Sequence, residues 1–163
     1  MDRGAQVEAA LFDSGLSRSE RLTRIEELGD VRDGVLAGLS VTVADEAWAR
    51  FERWLLAAAA QPSRAMTALL CEVLARRLPE VNNEDLVEVL GEIADPDAVD
   101  CLESALLWEP DWDEFHALGV KCVWALGAIA TPKARSVLED AASVGPEEVR
   151  AAAQLELQRL DAA

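Results

Sequence analysis

Sixteen residues of this chain, Leu90 to Ala105, recur 36 positions later as Leu126 to Ala141, with no gap and nine positions identical. Self-similarity at a period of 20–50 residues marks units that cannot bury an apolar face alone and must stack on their neighbours. Each copy reads as the end of one helix and the start of the next. Leu90-Gly91-Glu92-Ile93-Ala94 runs into Asp95-Pro96, and Leu126-Gly127-Ala128-Ile129-Ala130 runs into Thr131-Pro132. Asp95 and Thr131 suit the N-cap, where a side-chain oxygen takes an orphan N–H, and proline suits the first helical position, where no N–H is needed. Glycine inside a helix costs about 1 kcal/mol, so Gly91 and Gly127 imply a close approach of neighbouring helices.

Apolar residues at helical spacing extend the pattern on both sides. Helices are expected over Asn83–Ile93 (Leu86, Leu90, Ile93), Pro96–Trp108 (Val99, Leu102, Leu106) and Asp113–Ala130 (Phe115, Leu118, Cys122, Leu126, Ile129). Two more follow, over Pro132–Ala142 and Pro146–Leu160. Upstream, Asp45–Ala60 and Arg64–Leu78 form a degenerate pair around Gln61-Pro62-Ser63, which places prolines at 62, 96 and 132. Ser17 and Glu20 make a capping box for a helix to Leu28, and Gln6–Phe12 and Val31–Leu39 read as shorter helices. Tyrosine is absent and runs of alternating β-branched residues are missing, so nothing competes for strand. The expected fold is all-α: a single domain built as a right-handed α-solenoid of antiparallel helix pairs. Residues 1–44 form an N-terminal helical cap, and residues 45–160 hold about two and a half to three and a half pairs, because terminal repeats must differ from internal ones.

The turn sequences Leu90-Gly91-x-Ile93-Ala94-Asp95-Pro96-x-Ala98-Val99 and Leu126-Gly127-x-Ile129-Ala130-Thr131-Pro132-x-Ala134 resemble bacterial HEAT-like repeats of the bilin-lyase type. Glu148-Val149-Arg150-Ala151-Ala152-Ala153 is similar to the start of that repeat's first helix. The resemblance covers residues 83–160 well and 45–78 weakly. It implies architecture and leaves activity open, because such repeats serve many functions. Thr131 stands where the family has aspartate, and Leu107–Asp113 is longer than its usual turn.

The formal charge of −16 is unevenly placed. Met1–Leu78 holds 12 acidic and 10 basic residues, whereas Pro79–Ala163 holds 19 and 5; Pro79–Val120 has 13 carboxylates and no Lys or Arg. Solvated helix faces normally interleave cations at i+4. A field of this kind repels nucleic acid and anionic membranes, which need Lys and Arg, and accelerates capture of a cationic partner. Cys71, Cys101 and Cys122 lie in apolar helical patterns without metal-ligand spacing, so three buried free thiols in a reducing cytosol are expected. No secretory signal pattern opens the chain, and the longest apolar run, Trp54–Ala60, is too short to span a bilayer. A cytoplasmic protein, monomeric when free, is the expectation.

Catalytic chemistry finds little footing. His116 is the single histidine, and there is no phosphate loop, nucleophile elbow or paired His-x-x-x-His or Cys-x-x-Cys. No cofactor or metal is expected. Trp108-Glu109-Pro110-Asp111-Trp112-Asp113-Glu114-Phe115-His116 is the one constellation that mixes aromatic and acidic residues. Aromatic anchors ringed by carboxylates suit capture of a basic protein surface. The bland alternative makes Phe115 and one Trp core and makes Asp111 or Asp113 an N-cap. Trp124 occupies the repeat position of Glu88, so it either packs on the long connection or forms an exposed aromatic site. Trp48 is expected in the core with Phe51, and Trp54 against the N-terminal cap. The expected function is non-catalytic capture of a basic protein, such as a toxin or nuclease, through Glu88, Glu92, Asp97, Asp100, Glu103, Trp108, Glu109, Asp111, Trp112, Asp113 and Glu114. A lyase-type enzyme or chromophore binder, which would need a deep apolar pocket lined by His116 and a Trp, and a structural scaffold, which would self-assemble, are the competing classes.

Overall fold

The computed structural model describes residues 2–163 of the chain. It is all-helical, with no strand among the described residues. The helices are α1 (Arg3–Phe12), α2 (Arg18–Glu27), α3 (Arg32–Ala44), α4 (Trp48–Ala60), α5 (Thr67–Ala75), α6 (Asn83–Ile93), α7 (Val99–Leu106), α8 (Ala117–Ile129), α9 (Pro132–Ser143) and α10 (Glu147–Asp161). Short 3₁₀ turns, Arg64–Met66 and Pro96–Ala98, lead into α5 and α7. The architecture is an α-solenoid. One layer runs α4, α6, α8, α10, each packed on the next, and a second layer runs α5, α7, α9. Between the layers α5 packs on α6, α7 on α8, and α9 on both α8 and α10.

The turns obey the capping chemistry read from the repeat. Asp95 accepts from the Asp97 N–H and Thr131 from the Ala134 N–H, each ahead of a proline. The difference of one residue in the bonded N–H matters: the shorter Asp95 bond goes with a 3₁₀ start, the longer Thr131 bond with a direct α start. Ser63 caps in the Asp95 manner, through the Ala65 N–H. Pro62 therefore precedes its cap while Pro96 and Pro132 follow theirs, so prolines misplace the first repeat slightly and the caps at 63, 95 and 131 set the true register. Asp95 also accepts from the Thr67 hydroxyl at 2.8 Å with both side chains buried, which ties the starts of α5 and α7 together.

Ala94 and Ala130 end their helices in the left-handed region at φ 51° and 56°. Each donates its N–H to the leucine four residues back, 3.0 Å in both copies. The close approach expected at Gly91 is present: a Cβ there would meet the Ala125 backbone at 3.2 Å.

The N-terminal helices pack on α4 and on one another. Ser17 and Glu20 form the capping box of α2. The last carbonyls of α1 are satisfied by arginines from its neighbours, Arg53 donating to the Leu11 carbonyl at 3.0 Å and Arg21 to that of Asp13 at 2.9 Å. Trp54 is buried against α3, where its ring fills the space beside Gly38. Trp48 meets Phe51 edge to face at 5.9 Å. α3 runs 13 residues, past the shorter helix expected, because Leu39, Thr42 and Val43 continue its buried stripe.

Two expectations need correction. Cys71 and Cys101 form a disulfide between α5 and α7, with Cα atoms 5.7 Å apart, and only Cys122 is a free thiol among the described residues. Stacking of neighbouring repeats makes positions 71 and 101 adjacent, which spacing along the chain does not reveal. Burial pushes the Cys122 thiol well up, with Asp113 adding to it, so this thiol is inert. The helix expected from Asp113 starts instead at Ala117, and Phe115 is 74% exposed rather than core. No helix among the described residues is long and apolar enough to cross a membrane.

Candidate functional site

Two surfaces concentrate exposed aromatic and charged side chains. The first is the connection between α7 and α8. Its shape comes from Asp113, whose two carboxylate oxygens accept from the Ala117 and Leu118 N–H groups at 2.8 and 2.9 Å. Asp113 thereby caps α8 from outside the helix, and the chain reaches it through His116 in the left-handed region at φ 55°. Three apolar residues of the connection are held off the core. Leu107, Trp112 and Phe115 are 77%, 51% and 74% exposed. Trp108 is half-buried, meets Trp112 edge to face at 6.1 Å, and lies under the Arg77 guanidinium at 5.3 Å. Glu109, Asp111 and Glu114 are exposed and make no ion pair among the described residues.

The second surface is a groove of about 890 Å³ across α2, α4, α6 and α8. Leu55, Leu56, Ala59, Val89, Ala125 and Ala128 give it apolar patches. Arg18, Arg21 and Arg53 line its N-terminal side, and Asp85, Glu88 and Glu92 project from α6. Lys121 bridges Glu84 and Glu88, 3.2 Å from each. Burial works against its ammonium charge, but the hydrogen bonds to Glu88 and Glu84 outweigh it and hold its pKa above the usual lysine value. Glu52, also in the groove, accepts the Asn82 N–H at 2.7 Å, and burial raises its carboxyl pKa despite that bond. Trp124 is 52% exposed and lines this groove, so it does not pack on the α7–α8 connection. His116 is not among the groove's lining residues.

The predicted site residues fall into three places. Glu88 and Glu92 are exposed on α6 and line the groove. Asp97, Asp100 and Glu103 lie on the 3₁₀ turn and α7, in the other layer, where Asp100 pairs with Lys133 of α9 at 2.6 Å. Trp108, Glu109, Asp111, Trp112, Asp113 and Glu114 share the connection. Because α6 and α7 belong to different layers, carboxylates close in sequence do not gather into one patch. Asp113 is a cap, and its charge is used within the fold. The arginines of the groove were missed because nothing in sequence links α2 to α6. The one available signal was the mismatch of Trp124 with Glu88 in the repeat.

Among the described residues no group of three or more His, Cys, Asp or Glu side chains has the arrangement of a metal site. A family model described as HEAT repeats matches residues 67–158, more than half of the chain. No curated protein matches it.

Proposed function

Because the chain belongs to the HEAT-repeat family, we propose that it is a non-catalytic binding module that captures a basic protein through the α7–α8 connection. HEAT repeats commonly mediate protein–protein interaction. The observation that carries the reading is the exposure of Leu107, Trp112 and Phe115 beside the unpaired carboxylates of Glu109, Asp111 and Glu114. Aromatic side chains held in water supply hot-spot area on binding, and carboxylates around them pair with Arg or Lys of the partner. A fold that needed these side chains for its own core would have buried them. The wider field of the acidic half steers a cationic partner toward the site. An inhibitor that neutralises a basic toxin or nuclease is the concrete form of this role. The bilin-lyase-type turn sequence supports the repeat architecture and brings no activity with it.

The test is affinity capture from the native source with the wild-type chain and with a Glu109→Lys, Asp111→Lys, Glu114→Lys variant. A basic protein retained at low salt, released at high salt and absent from the variant's eluate is the expected result. Equal capture by both chains, or capture of acidic proteins only, sinks the proposal. Because none of the three residues caps a helix or forms an ion pair within the fold, circular dichroism of the variant should match the wild type.

A further inference from the structure

The groove across α2, α4, α6 and α8 is distinct from the connection, and its charges are arranged in order. Arg18 and Arg21 stand on α2, Arg53 and Glu52 on α4, Asp85, Glu88 and Glu92 on α6, and Lys121 and Trp124 on α8. Asp85 and Glu92 make no ion pair among the described residues, and neither does Arg18. Glu88 shares Lys121 with Glu84, which leaves the α6 side of the groove net negative. Leu56 and Ala59 of α4 give the groove accessible apolar surface.

We propose that this groove binds a linear segment of a partner protein with a basic residue at one end, aliphatic residues in the middle and a carboxylate at the other. An arginine or lysine over the Trp124 ring gains a cation–π contact, and Glu88 and Glu92 offer it charge-assisted hydrogen bonds. Leu56 and Ala59 take the aliphatic residues, and Arg18 takes the carboxylate. Length agrees with this occupant. Packed helices lie about 8–10 Å apart, so four of them span roughly 27 Å, which about eight extended residues cover at 3.3 Å each. A nucleic acid would gain from the arginines and be repelled by the α6 carboxylates. A uniformly basic segment would meet the reverse conflict. The occupant fitted to both ends is dipolar.

The experiment pans a displayed library of random dodecapeptides on the wild-type chain and titrates the enriched peptides against variants. Enriched sequences should carry a basic residue, an aliphatic stretch and an acidic residue in that spatial order. Trp124→Ala and Glu92→Lys should each weaken them about tenfold, the size of a partly desolvated cation–π or ion-pair contact, and Arg18→Glu should do the same for peptides with the carboxylate. The triple Lys variant of the α7–α8 connection should leave their affinity unchanged. Failure to enrich any sequence above background overturns the proposal, as does binding indifferent to Trp124→Ala and Glu92→Lys. Enrichment of uniformly basic peptides that release from the connection variant also overturns it, while leaving the function proposed for the connection standing. These three groove positions are exposed, and unchanged thermal unfolding of each variant shows that a lost affinity is not a lost fold.

Discussion

The repeat α6–α7 and the repeat α8–α9 share a turn, a cap position, a left-handed alanine and a helical glycine, yet their surroundings use those parts differently. Gly91 lets the backbone of α8 approach α6, whereas the space beside Gly127 is filled by the Glu156 carboxylate of α10, and Arg159 donates to the Gly127 carbonyl at 2.9 Å. Cys101 of the first repeat is bonded to Cys71, and its counterpart 36 residues later is Val137. Asp95 receives the Thr67 hydroxyl in addition to its cap, while Thr131 bonds only to its own helix. Glu88, paired with a lysine, becomes Trp124, half in solvent. The motif positions build the stack. The positions between them decide what each unit touches.

The disulfide gives the largest test of that contrast. Its cysteines are separated by 30 residues, for which loop-closure entropy amounts to about 3–4 kcal/mol. Urea unfolding of the Cys71→Ala, Cys101→Ala variant should show that loss, and the wild type in reductant should match it. A wild type that titrates three thiols when denatured without reductant would contradict the bond.

Next in size is the pair of glycines. Gly91→Val should cost about 3 kcal/mol, because the obstructing atoms belong to a helix backbone that cannot yield without moving α8. Gly127→Val should cost about half as much, since the obstruction is the far end of a glutamate that can swing into solvent. Equal losses would mean that the two repeats pack alike after all.

The smallest effect should be the same in both copies. Ala94→Gly and Ala130→Gly each remove the strain of a left-handed alanine, and after the added chain entropy of glycine should stabilise by about 0.5–1 kcal/mol. Differential scanning calorimetry would register a rise in Tm for each. A fall for either would show that its helix ends in some other conformation.

Much of this was legible from residues alone. Asn83–Ile93 is helical at the expected bounds, and the α2 capping box and both repeat N-caps hold the N–H groups their side chains suit. These features rest on local chemistry, in which a side chain bonds to a backbone group two or three residues away. The α7–α8 connection was harder. Phe115 fits the apolar period of the following helix, but the Asp113 carboxylate reaches across to the Ala117 and Leu118 N–H groups and starts the helix late. Two readings of Asp113 were open in the sequence, and the geometry selects the cap.

The sequence by itself determined that this chain stacks helix pairs, since a period of 36 residues with capped turns has no other economical use. Only the tertiary structure decided which surfaces result. It set the Cys71–Cys101 pairing, sent the acids of α6 and α7 to different layers, and brought Arg18 into the same groove as Glu92 and Trp124. The reason is one of range. Capping and periodicity act within a turn or two of helix, whereas surface composition depends on how successive pairs lie side by side, which no single segment records.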